Sequence, residues 1–171
     1  RAFANNSLGT FYGNEISFNT GKEYGVTYAG GIVFYNDGNG GGLVCASSDQ
    51  GIEKKWGCPG TLIGSLPTEI YTSASNTNAI VTGCTTSGIS AQICNNLTLN
   101  SYSDWYLPSK DELNEIFLNL AKNGLGNLST DARWSSSEVD KDKAWYQAFT
   151  NGMLGNAPKG STLRVRAVRR F

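Results

Sequence analysis

The chain has 171 residues, 39% apolar and 11% aromatic, with 14 basic and 14 acidic side chains and no formal net charge; that is enough for one real core and too little for two. Neutrality removes any global pull toward nucleic acid or an acidic membrane, and no apolar run approaches the roughly 18 residues that would cross a bilayer. Histidine is absent, which argues against serine hydrolases and against zinc, copper or non-haem iron enzymes that need imidazole.

Residues 1–27 are polar and rich in Gly and Asn, and read as an irregular lead-in with one or two short strands, joined to an upstream stalk. The start, "RAFANNSLGTFYGNE", lacks a signal-peptide core and a Met, and is read as the carboxy-terminal part of something longer. In "YAGGIVFYNDGNGGGLVCASSD", Ile32–Tyr35 and Leu43–Ala46 are short β-rich runs, and "NDGNGGG" between them tolerates positive φ, so a hairpin is expected. Asp37 and Asn39 resemble half of a calcium loop, but Ser48 stands where the twelfth-position glutamate belongs. The stretch 60–78, with Pro67 and Tyr71, reads as a long functional loop. A short, weak helix is expected at Asn78–Val81, and a second in "SAQICNNL", capped by Ser90.

"SDWYLPSKDEL" gives the strongest local signal. Ser109 and Glu112 form a capping box, and Leu113, Ile116, Phe117 and Leu120 follow at helical spacing until Gly124. Beyond Gly126 the period falls to two. "RWSSSE", "AWYQAF" and "TLRVRAVRRF" read as three strands separated by "VDKDK" and "TNGMLGNAPKGS". The last would present Arg164, Arg166 and Arg170 on one face, with Arg169 interrupting the apolar face of Val165, Ala167 and Phe171. The fold class is α+β: a mostly antiparallel sheet of N- and C-terminal strands, with two main helices and long loops between.

Four cysteines, Cys45, Cys58, Cys84 and Cys94, show no CxxC spacing, so disulfides are preferred over a metal. Three connectivities are possible. Proximity favours Cys45–Cys58 with Cys84–Cys94, each worth about 3 kcal/mol, and four buried thiols are the alternative. Trp56, Trp105, Trp134 and Trp145 sit among apolar neighbours and read as core, and Ser135–Ser137 reads as strand hydrogen bonding.

The motifs "GGIVFY", "GLVCASSDQG", "WGC", "NTNAI", "SDWYLPSKDEL", "WSSSE", "AWYQAF" and "VRAVRRF" occur in this order. Over residues 28–171 the chain thereby resembles the family named for the carboxy-terminal domain of the Legionella collagen-like adhesin. That resemblance implies a C-type-lectin-like domain related to phage tropism determinants, outside the cell on a bacterial surface or virion tail fibre, commonly as a homotrimer at a fibre tip. It implies a binding module, not an enzyme, an adhesin or receptor-binding head for a glycan or protein receptor; a trimerising structural cap without a ligand is the alternative. The "EPN", "QPD" and "WND" calcium signatures of calcium-dependent lectins are missing, so no metal or other cofactor is assigned. Loops carry recognition on such scaffolds, which nominates Tyr71, Asn76, Lys141, Asp142, Asn151, Asn156 and Lys159. A basic surface of Arg164, Arg166 and Arg170 is the alternative site.

Overall fold

All four residues of Gly42–Cys45 are buried, the mark of a strand covered on both faces. In the structure, a computed structural model, this strand lies between two apolar clusters. Residues 3–12, 21–64 and 66–171 are described. In chain order the elements are β1 (Phe3–Asn6), β2 (Gly9–Tyr12), β3 (Thr27–Tyr28), β4 (Gly31–Asn36), β5 (Gly42–Cys45) and β6 (Gly51–Lys55). Three helices follow, α1 (Ser73–Gly83), α2 (Ser90–Asn95) and α3 (Lys110–Asn119), then β7 (Ala132–Glu138), β8 (Lys143–Ala148), β9 (Leu154–Pro158), β10 (Thr162–Val165) and β11 (Val168–Arg170).

The chain is α+β, with sheets that are antiparallel except at one pairing. β1 and β2 form a hairpin of their own in the lead-in. A four-stranded sheet runs β11-β5-β4-β3 and a five-stranded sheet β6-β10-β7-β8-β9, in which β10 meets β7 in parallel. One cluster, around Trp56, Trp134, Trp105, Ile80, Ile89 and Val44, packs α1 and α2 with residues of both sheets. The other, around Phe34, Leu43, Cys45, Leu113, Ile116 and Phe149, seats α3. Three of the four tryptophans are therefore core, at 0–2% exposure, and Trp145 is half-buried.

The β4–β5 hairpin and the α3 capping box form as the sequence requires: Glu112 N–H donates to Ser109 Oγ, and Ser109 N–H to Glu112 Oε2. Four expectations are corrected. The helix expected at Asn78–Val81 extends from Ser73 to Gly83 and shortens the loop before it. Its buried face is largely polar: Asn76 Nδ2 donates to Pro67 O at 2.7 Å, and Thr77 Oγ1 accepts Leu107 N–H at 3.0 Å. Ser90 is the first residue of α2 and not its cap; its hydroxyl donates to Lys55 O at 2.8 Å. β9 lies inside "TNGMLGNAPKGS", where five residues pair with β8 through the backbone.

The basic C-terminal run is two strands. β10 pairs with β6 and β7, β11 with β5, so the chain changes sheets at Arg166–Ala167. Gln50 Oε1 accepts Ala167 N–H at 2.6 Å, and Ala167 O accepts Ala46 N–H at 2.9 Å, which secures the crossing.

Candidate functional site

Segment Ser103–Tyr106 is tied to β11 by reciprocal bonds between Tyr106 and Val168, both 2.9 Å. Trp105 and Leu107 turn into the core, while Ser103 and Asp104 stay exposed. Arg169 holds Asp104 in a bidentate pair, 2.7 and 2.9 Å, and that bond keeps the carboxyl below the ordinary aspartate range although burial opposes it. Arg169 is itself buried: Ala29 O accepts a further N–H at 2.7 Å, and the Tyr102 ring covers its face.

A cleft of about 250 Å³ opens between this segment, α1, α2 and the end of β11. Ala74 and Thr77 form one wall, Asn95 and Ser103 the rim, Trp105 and Tyr106 the aromatic lining, and Asp104 and Arg170 the charged groups. Arg170 is exposed, with its guanidinium 4.4 Å from the centre of the Tyr71 ring. Among the described residues no acceptor takes its N–H groups and no carboxylate pairs with it.

Tyr71 is held for this contact. Its φ of 71° is left-handed, a conformation that costs a bulky residue roughly 1–3 kcal/mol unless its surroundings fix it. Tyr71 N–H donates to Glu112 Oε1 at 2.8 Å, and its ring meets Tyr35 edge-on at 5.9 Å. Burial, with Asp37 adding, raises the Tyr71 phenol above its ordinary pKa. Glu112 also accepts from Ser73 Oγ at 2.8 Å, so the capping carboxylate of α3 positions the start of α1 as well. Burial raises the Glu112 pKa, and its hydrogen-bond donors oppose the rise.

The nominated loop residues do not gather into one site. Lys141 and Asp142 are exposed and pair with each other at 2.9 Å before β8, whereas Asn151 lies in the turn after it, accepting Met153 N–H at 3.0 Å. Asn156 is exposed on β9 opposite Trp145. Asn76 is a correction: it is 1% exposed, and its amide bonds Pro67 O and Ser136 Oγ. Lys159 is another. It is fully buried, with its ammonium paired to Glu138, bonded to Thr61 O at 2.7 Å and 4.7 Å from the Trp56 ring centre. Its place in the inter-strand stretch "TNGMLGNAPKGS" made it a candidate ligand contact; the three inward contacts bury it instead.

The alternative basic surface is corrected too. Arg166 is 1% exposed and bonds Asp49 Oδ1 and Ala46 O, both at 2.7 Å. Arg133, fully buried, forms a bidentate pair with Asp49 at 3.0 Å, and Arg164 bridges Asp49 and Asp131 at 3.4 and 2.7 Å. Burial would raise the Asp49 pKa, but Arg133 and Arg166 outweigh it and hold the carboxyl below its ordinary value. Shallow hollows of about 320 and 400 Å³ flank Arg164 on this face, and the arginines along them already carry carboxylate partners. Of the three nominated arginines, Arg170 alone has neither a carboxylate nor another acceptor among the described residues, and it lines the cleft.

The cysteine pairing differs from the one proximity favours. Cys58 bonds Cys84, with Cα atoms 5.7 Å apart, tying the loop after Trp56 to the end of α1 and closing a 26-residue separation worth about 3.5 kcal/mol. Cys45 and Cys94 are free and buried. β6 intervenes between Cys45 and Cys58, and Cys45 and Cys94 belong to different apolar clusters. Burial pushes the Cys45 thiol up to about 11 and raises that of Cys94 as well, so both stay inert thiols.

The cleft combines a carboxylate held by Arg169, a guanidinium without an acceptor among the described residues, an amide and a hydroxyl over aromatic walls. Sequence reasoning missed Asp104 and Asn95 and favoured core packing for Trp105 over a stacking role toward a sugar. The usable signal was alternation in "SDWYL", which turns Trp105 and Leu107 inward and leaves Asp104 outside.

A comparison with protein-family models matches residues 65–169 to one described as the Lcl C-terminal domain. No curated protein matches the chain. The matched span begins before α1 and ends within β11, and strands upstream of it are bonded into the same sheets, β5 to β11 and β6 to β10. The chain belongs to the Lcl C-terminal domain family, that of the carboxy-terminal, fibre-associated domain of an adhesin.

Proposed function

We propose that this domain is an extracellular binding module, an adhesin or receptor-binding head at a fibre tip on a bacterial surface or virion, with a C-type-lectin-like scaffold. It takes a glycan or protein receptor in the cleft beside Arg170. The observation that carries the reading is that guanidinium: exposed, stacked on a positioned Tyr71, and without an acceptor among the described residues, whereas Arg133, Arg164, Arg166 and Arg169 are all paired with carboxylates. Family membership supports an adhesive setting, and the Cys58–Cys84 bridge supports an oxidising one.

A second reading, a homotrimeric structural cap, draws on the exposed apolar side chains of Tyr24, Val26 and Tyr28, with Leu125 packed against Gly25 among them. Arrays of glycans and receptor ectodomains, probed with the fluorescently labelled chain, separate the two. A binding head is retained on at least one feature and loses at least tenfold in signal with Ala74→Trp, which fills the cleft from an exposed position on α1, at unchanged thermal stability. A chain that trimerises but is retained nowhere is a cap.

A further inference from the structure

We propose that the cleft recognises a compact hydroxylated ligand bearing a single carboxylate, of the size and chemistry of one acidic sugar unit, and not an extended polyanion. The inference rests on reading the cleft as the binding site and adds the chemical class of its ligand.

Size comes first. A cavity of about 250 Å³ falls below the roughly 300–1,000 Å³ of a drug-sized ligand site, so it holds one ring-sized unit with the remainder of any longer ligand outside. Charge comes next. Asp104 is neutralised by Arg169, which leaves Arg170 as the cleft's one uncompensated charge among the described residues. The Arg170 guanidinium carbon lies over the Tyr71 ring at 4.4 Å, and its N–H groups have no acceptor among the described residues. An arginine edge presents parallel donors that match the two oxygens of a carboxylate, and a side chain already held in place loses less entropy on binding.

The other polar groups suit hydroxyls. Asp104 keeps its charge because Arg169 depresses its pKa, and as an ionised carboxylate it accepts hydrogen bonds and donates none. Asn95 and Ser103 at the rim both donate and accept. Thr77 is already engaged with Leu107 and contributes wall. A hydroxylated ring with one carboxylate satisfies Arg170, Asp104 and the rim together.

A polysulfated chain needs a row of free cations. Arg133, Arg166 and Lys159 are fully or almost fully buried, and each is paired inside the fold, the two arginines with Asp49 and the lysine with Glu138. Arg164 is bridged to Asp49 and Asp131. The basic stripe apparent in the sequence is thus largely internal to the fold.

The test uses the ¹⁵N-labelled chain with galacturonate, galactose and heparin as probes. The readout is the indole N–H resonance of Trp105, which lines the cleft and is identified with Trp105→Phe. Galacturonate is expected to shift that resonance saturably, and galactose to need at least tenfold higher concentration. Arg170→Gln should weaken galacturonate at least tenfold and leave galactose unchanged; Arg170 is exposed, so the variant folds. Equal affinity for galacturonate and galactose, no shift with either, or heparin binding that survives Arg170→Gln each overturns the assignment. Array retention that Ala74→Trp abolishes, together with no preference for galacturonate, would refute the ligand class and leave the binding module standing.

Discussion

Replacing Glu138 by Ala tests whether Lys159 is a fold residue or a ligand contact. In the structure the Lys159 ammonium is fully buried against the Glu138 carboxylate, which also accepts Ile63 N–H at 3.0 Å and Gly64 N–H at 3.1 Å. Removing the carboxylate leaves a buried cation with, among the described residues, only Thr61 O and the Trp56 ring as partners, and leaves two loop N–H groups without their acceptor. Breaking one side of a buried ion pair costs about 3–5 kcal/mol. Glu138→Ala should therefore lose about that much in urea unfolding. Joint replacement of the pair by Lys159→Met and Glu138→Leu should recover the part of the loss due to the unpaired cation, because two apolar groups need no partner, while the Ile63 and Gly64 N–H groups still lack their acceptor. Refutation would be a loss under about 1 kcal/mol in Glu138→Ala, or a Lys159→Met variant of unchanged stability that no longer attaches to its target. Either result would put Lys159 back on the surface.

Ser109→Ala removes the acceptor of Glu112 N–H in the α3 capping box and should cost about 1 kcal/mol in thermal or urea unfolding, with attachment retained. Under non-reducing conditions the intact protein should be two hydrogens lighter than its reduced form, and the free thiols Cys45 and Cys94 should react with alkylating reagent only after unfolding. Asp49 has a folded-state pKa below its ordinary 3.8, so its stabilisation is complete above that value and is lost as the pH falls through the depressed one. Asp49→Asn should accordingly lower stability at neutral pH and flatten the acid limb of a stability–pH curve measured by urea unfolding.

The elements legible in the sequence are those whose cause is local. α3 could be read because its cap, its apolar spacing and its terminating glycine fall within 16 residues, Ser109 to Gly124. The β4–β5 hairpin could be read because its turn is dense in Gly, Asn and Asp between two β-rich runs. α1 could not. Ser73, Asn76 and Thr77 are on its buried side, where hydrogen bonds to Glu112, Pro67 and Leu107 replace apolar contact, so no hydrophobic period marks it. β9 escaped for a related reason: "LGNAP" pairs with β8 through its backbone at a sheet edge, where turn-forming residues are tolerated. The disulfide was misread because proximity along the chain ignores β6, which separates Cys45 from Cys58.

The arginines show why the candidate site was harder to read than the fold. Arg133 lies 84 residues from its partner Asp49, and Arg166 lies 117 from the same carboxylate. Arg169 lies 65 residues from Asp104. Nothing local marks these pairings, so strand alternation sorted the basic residues into an inner and an outer face that a single continuous strand would have had. The chain instead changes sheets at Arg166–Ala167, which sends Arg166 inward to Asp49 and shifts the alternation for the residues that follow. Val168 and Arg169 are then buried and Arg170 is exposed. A cation matters for recognition when its charge is still unmatched after the fold has paired the others, and that depends on distant carboxylates more than on the number of arginines in a run. Arg170 meets that condition because Asp104, the acidic group of its own cleft, is already held by its neighbour Arg169. The same salt bridge that closes β11 onto the Ser103–Tyr106 segment therefore leaves Arg170 without a carboxylate partner among the described residues, as the proposed recognition in the cleft requires.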